Sequence, residues 1–200
     1  MFVTKYGTNF GQLPQQLGRV IFVAPAASYA IDGRSYDASD DNDGLSPERA
    51  LRTVSQALTN SRSAEGETVF LLRGVHAQTA TLRWNKSVAI VGERPIVNAP
   101  GAAVGVMPLS ILSFVGAAAP GLSIEADNVE LGHLTLRPAP GFSTVIFRNA
   151  SPDGLIAHDI VIDFSKGQPS LATLGIDFGY RADVAGLAGT SMTRLAQTTQ

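Results

Sequence analysis

Two hundred residues with 44% apolar composition suit one globular domain, and a net charge of −2 excludes the dense cationic surface that nucleic-acid binding requires. The absence of cysteine excludes disulfides, thiolate metal sites and cysteine nucleophiles. No apolar run approaches the roughly 18 residues of a membrane span, and the opening segment lacks the apolar core and cleavage site of a signal peptide, so neither a membrane partner nor signal-directed export is expected.

Residues 1–18 are rich in Gly, Gln, Asn and Thr and carry isolated aromatics at Phe2, Tyr6 and Phe10. They show neither helical nor strand periodicity. The two readings are a frayed terminus and an assembly arm that docks on a neighbouring subunit, the spaced aromatics favouring the arm. Arg19 to Pro25 is a compact β-branched and aromatic run, which predicts a strand. A polar loop is expected over 32–44. Next comes a helix signal: Ser46 as N-cap, Pro47 at the first helical position and Glu48 in the first turn. Ala50, Leu51, Val54, Ala57 and Leu58 follow at helical spacing and form one apolar stripe.

Beyond Gly66 the pattern changes to short strands, expected at Val69–Leu72, Ser87–Val91, Ile111–Val115, Val129–Leu136 and Leu155–Phe164. Two-residue hairpin turns look scarce, and no helical stretch separates these strands. Asp127-Asn128-Val129-Glu130-Leu131 aligns with Asp153-Gly154-Leu155-Ile156-Ala157 at an offset of 26 residues, and Leu134 and Leu136 then fall on Ile160 and Ile162. A pair of apolar residues flanking one outward residue recurs upstream at Leu112/Phe114, Val88/Ile90 and Val69/Leu71. Strands of constant signature at unequal spacing predict stacked layers joined by turns of varying length. The alignment places Arg137 beside Asp163 and His133 beside Asp159. The amphipathic helix is expected to close the open first layer, through Leu51, Val54 and Leu58. Residues 186–200 lose strand character and read as a tail or second cap.

Candidate chemistry is thin. Asp37, Asp40, Asp41 and Asp43 form the one cluster that could offer Ca²⁺ hard oxygen ligands, but Ser39 and Ala50 stand where an EF-hand needs acids. The competing reading is a turn that positions the helix. His76, His133 and His158 have no metal-ligand spacing, and His133 and His158, one position out of phase in the repeat, are expected to face opposite ways. Trp84 is either a packing residue or a sugar-stacking platform. No catalytic constellation, cofactor site or G-x-S-x-G elbow is read from the sequence.

Val20 to Pro25, Asp43-Gly44-Leu45-Ser46-Pro47-Glu48, Ala50, Thr53-Val54, Gly66-Glu67-Thr68-Val69 and Asn85-Lys86-Ser87-Val88-Ala89-Ile90-Val91-Gly92 together resemble the N-terminal portion of pectate-lyase-like right-handed parallel β-helix proteins. The resemblance implies an all-β fold: a short single-stranded right-handed parallel β-helix of about five or six coils with an N-terminal amphipathic α-helix cap. The implied organisation is an arm over 1–18, a capped domain over 19–185 and a tail over 186–200. The opening Tyr6-Gly7-Thr8-Asn9-Phe10-Gly11 resembles proteins carried by tailed phages. That implies a non-enzymatic virion protein, made in the host cytoplasm, in the role of capsid decoration or head attachment. Its partners would be other capsid or tail subunits and copies of itself, a trimer being favoured. The alternative is a carbohydrate-active or glycan-binding (tailspike-like) β-helix module, since this fold hosts many chemistries.

Overall fold

The structure, a computed structural model, describes residues 18–62, 66–93, 108–115, 121–138, 144–148, 154–163 and 174–177. Phe2, Tyr6, Phe10 and the segment 186–200 lie outside those residues. The chain is all-β in character, with a strongly curled parallel sheet and one α-helix among the described residues. Strand β1 (Val20–Val23) is followed by a hairpin of β2 (Ser28–Ile31) and β3 (Arg34–Asp37). Next come a 3₁₀ turn over Pro47–Arg49 and helix α1 (Val54–Asn60). The remaining strands are β4 (Thr68–Leu71), β5 (Gly74–Gln78), β6 (Leu82–Trp84), β7 (Ala89–Gly92) and β8 (Ser110–Phe114). After them run β9 (Leu122–Ile124), β10 (Glu130–Arg137), β11 (Thr144–Arg148), β12 (Ile156–Ile162) and β13 (Leu174–Asp177).

The turn and second strand of the hairpin lie where a polar loop was expected. Its turn is Asp32-Gly33, with φ of 49° and 78°, the left-handed pair that a two-residue turn between right-twisting strands requires. The Asp-Gly dipeptide was its signal, obscured by the polar residues around it.

Three sets of strands stack in parallel. One runs β1, β4, β7 and the first half of β10; a second runs β5, β8 and the second half of β10; the third runs β6, β9, β11 and β13. Strand β12 pairs with β10 across both halves, with Leu131 opposite Ala157 and Leu136 opposite Ile162, the 26-residue offset read from the sequence. The turns stack as well: at this offset Gly154 lies on Asn128, whose Oδ1 would be 2.5 Å from a Cβ at residue 154. Two upstream registers differ from expectation. Val69 lies opposite Ile90 rather than Val88, and Leu112 lies opposite Leu136 rather than Leu134. Each is a slip of two residues, which keeps the same side chains facing inward and so is invisible to a period-2 pattern. Strands β7 and β8 are not neighbouring layers; they belong to different sets.

The inward faces merge into one core running from Ile21 and Val23 through Leu71, Ile90, Leu112, Ile124 and Leu131 to Leu136. Each fully buried Leu or Ile side chain in such a core contributes about 1.5–3 kcal/mol. Trp84 is fully buried in it, so its ring packs rather than offering a face to a sugar.

The expected helix is divided. Ser46 precedes the 3₁₀ turn and makes no side-chain cap bond, whereas Thr53 caps α1, its side chain accepting from the Gln56 N–H at 3.1 Å. Pro47 opens the 3₁₀ turn, not α1. Between the two pieces Ala50 is extended, and Leu51 pairs with β1: the Leu51 N–H donates to Phe22 O and the Ala24 N–H to Leu51 O, both at 2.9 Å. Gly44 O accepts from the Phe22 N–H at 2.7 Å. The edge of β1 facing away from β4 is thus hydrogen-bonded by the 44–51 segment, which removes an open strand template. Val54, Ala57 and Leu58 bury the apolar side of α1 against the core, as the stripe implied. Lys86 Nζ donates to Thr59 O and Ser61 O at 2.6 Å each, placing a cation on the C-terminal carbonyls of α1.

Candidate functional site

The acidic loop works as a brace. Asp40 Oδ1 accepts from the backbone N–H groups of Arg52 (3.0 Å) and Thr53 (2.9 Å), and its Oδ2 accepts from the Thr53 hydroxyl at 2.9 Å. Asp43 Oδ1 accepts from the Leu45 N–H, and Asp43 pairs with Arg49. Asn42 Nδ2 donates to Asp37 O and Ala50 O. Asp41 accepts from Ser39 at 3.5 Å. These bonds satisfy backbone donors before α1 and fold the loop onto the segment that covers β1, which favours the turn reading over a cation site.

A second polar cluster among the described residues lies further on, where β10 and β12 bend. His133 and Asp159 stand at corresponding places in the two strands and both adopt φ of 53°, the left-handed region. A left-handed residue breaks the in–out alternation of a strand. His133 and His158, expected to face apart, therefore meet: their ring centroids are 4.8 Å apart in an edge-to-face arrangement. Asp159 Oδ2 lies 3.1 Å from His133 Nδ1 and 3.2 Å from His158 Nδ1, while His158 Nε2 lies 3.0 Å from Glu130 Oε1. Room for the His158 ring comes from Gly132 opposite it, where a Cβ would fall 2.8 Å from ring atoms. The Glu130 hydrogen bond raises the His158 pKa above its ordinary value, opposed by partial burial and reinforced by Asp159. His133 is buried, Asp159 is exposed, and His158 lies between.

The expected pairs are both present. Arg137 Nε donates to Asp163 Oδ2 at 2.9 Å, and His133 contacts Asp159. Two further ion pairs among the described residues follow the same plan. Arg19 joins Glu67 beside β1 and β4, and Arg73 joins Glu93 beside β4 and β7. The Arg73–Glu93 pair borders a cleft of about 320 Å³ under the hairpin, which Tyr29, Asp32, Pro25 and Leu72 also line. His76 is buried, its Nε2 donating to Leu72 O at 2.7 Å.

What sequence reasoning missed was the polar corner. Its signal was the pair Gly132-His133 over His158-Asp159 at the 26-residue offset: a glycine opposite a ring, with two residue types that tolerate left-handed backbone beside them. No family model, curated protein or solved structure matches the chain.

Proposed function

We propose that the chain is a right-handed parallel β-helix serving as a non-enzymatic structural protein of a tailed-phage particle, most closely a capsid decoration or head-attached protein anchored through residues 1–18. The strand order supports the winding. Strands β4, β5 and β6, then β7, β8 and β9, each visit the three parallel sets in turn before the next layer begins. Parallel strands joined by crossovers are right-handed in about 98% of cases.

The observation that carries the functional reading is where the charged groups go. Arg19–Glu67, Arg73–Glu93, Arg137–Asp163 and His158–Glu130 each tie one layer to the next. Charge spent between layers stiffens a stack; a polysaccharide-cleaving groove needs carboxylates converging on a substrate. The cleft beside Arg73 and Glu93 is the feature that favours the alternative, a glycan-binding or carbohydrate-active module.

Density-purified particles from cultures expressing the full chain or a chain lacking residues 1–18 provide the test. The reading expects the full chain to co-sediment with particles and the shortened chain to be depleted from them. Absence of the full chain from particles overturns the particle role, and equal incorporation of both overturns the arm. Release of oligosaccharides from capsular or cell-wall polysaccharide by the purified protein would establish the alternative.

A further inference from the structure

His133, His158 and Asp159 each place one metal-binding atom within 4.8 Å of the other two. Two edges of that triangle are closer, with Asp159 Oδ2 at 3.1 Å from His133 Nδ1 and 3.2 Å from His158 Nδ1. A tetrahedral ion with bonds of about 2.0–2.1 Å holds its ligand atoms about 3.3 Å apart. From this geometry we infer that the bend of β10 and β12 is a binding site for a divalent first-row transition ion, zinc above all, that fastens the two layers together.

The ligands are His133 Nδ1, His158 Nδ1 and Asp159 Oδ2. Two imidazoles and one carboxylate suit zinc and its neighbours, whereas Ca²⁺ and Mg²⁺ prefer oxygen alone. Glu130 supplies what such sites use to orient an imidazole, a carboxylate on the far nitrogen: its Oε1 is 3.0 Å from His158 Nε2, which leaves Nδ1 turned toward Asp159. Glu130 is thus a positioning residue. The remaining edge, between the two imidazoles, lies within 4.8 Å, and the His158 ring has Gly132 rather than a side chain beneath it. Asp159 is exposed, so water would fill the remaining coordination position.

The placement explains the need. Strand β12 is the least buried of the layers with described side chains: Ile156 is 59% exposed, and Leu155, Ile160 and Ile162 are only partly buried against the core. A layer short of apolar burial gains most from a metal cross-link, because a site absent from the unfolded chain turns binding energy into folding energy. The proposal is independent of any role in a particle.

Calorimetric titration of the chelator-treated full chain with zinc chloride tests it, beside His158→Gln, Asp159→Asn, Glu130→Gln and a His76→Gln control. The expected result is one zinc per chain for the unaltered protein and His76→Gln, loss of binding in His158→Gln and Asp159→Asn, and affinity about 10- to 100-fold weaker in Glu130→Gln. Failure of the unaltered chain to bind zinc stoichiometrically, or equal binding by His158→Gln and Asp159→Asn, overturns the site. Amide exchange of the unaltered chain with and without zinc reads the same question without a variant. Slowing centred on β10 and β12 supports the site, and slowing elsewhere or none overturns it.

Discussion

Replacing His76 with Gln should flatten the acid dependence of stability. His76 is buried, with its Nε2 donating to Leu72 O and its Nδ1 unpartnered among the described residues. Burial drives its pKa down from 6.5 to about 4, and the nearby Arg52 charge pushes the same way, while the Leu72 hydrogen bond resists. The folded pKa lies below the unfolded one, so the unfolded chain takes up the proton first. The His76 contribution is therefore whole above about pH 6.5, falls as the pH drops toward 4, and is flat below that. A shift from 6.5 to about 4, at about 1.4 kcal/mol per unit, amounts to about 3 kcal/mol. Gln retains an amide N–H for Leu72 O but does not titrate. Urea unfolding of both proteins between about pH 7.5 and pH 4.5 isolates the residue, because other titrating groups cancel in the difference. The unaltered protein should lose about 2–3 kcal/mol more than His76→Gln over that range. A difference constant to within about 0.5 kcal/mol would refute a neutral, buried His76.

Gly92→Ala should destabilise the fold by at least about 2 kcal/mol in thermal or urea unfolding, since the added Cβ would lie 2.3 Å from His133 O, 2.7 Å from Leu134 Cδ2 and 2.8 Å from Ser110 Cβ. Asp40→Ala removes the acceptor of two backbone N–H groups and the Thr53 hydroxyl, and a loss of about 1–3 kcal/mol is expected by urea unfolding, with the cooperativity of the transition retained. A double-mutant cycle on Arg137→Ala and Asp163→Ala should return a coupling of about 1 kcal/mol, larger than for a fully exposed pair because the two side chains are 20% and 11% exposed.

The parts of the fold legible in the sequence are those where two signals coincide. The β10–β12 register was readable because a turn and a strand pattern repeat together: Asn128 and Gly154 both adopt positive φ, and apolar positions follow each at equal distance. The upstream registers rested on one two-residue signature, which cannot separate slips of two. Strands β6 and β9, three residues each, are too short for any periodicity, and β5 carries buried His76 and Gln78, which read as polar. The helix stripe was correct in its residues but not its limits. Leu51, Val54 and Leu58 are all buried, yet Leu51 gets there as a strand-like partner of β1. The polar corner escaped because two left-handed residues cancel the alternation on which facing is judged.

The fold and the corner both depend on β10 bending at His133, so that its first half joins β7 and its second half joins β8, while β12 follows it throughout. Inter-strand nuclear Overhauser contacts between backbone protons of the labelled full chain measure this directly. Contacts from Leu131 to the Ile90 region, from Leu136 to the Leu112 region, and from both halves to β12 at an offset of 26 residues are predicted. Contacts that pair β10 along its whole length with either β7 or β8 alone, or with β12 at any other offset, would contradict the stack and the site built on it.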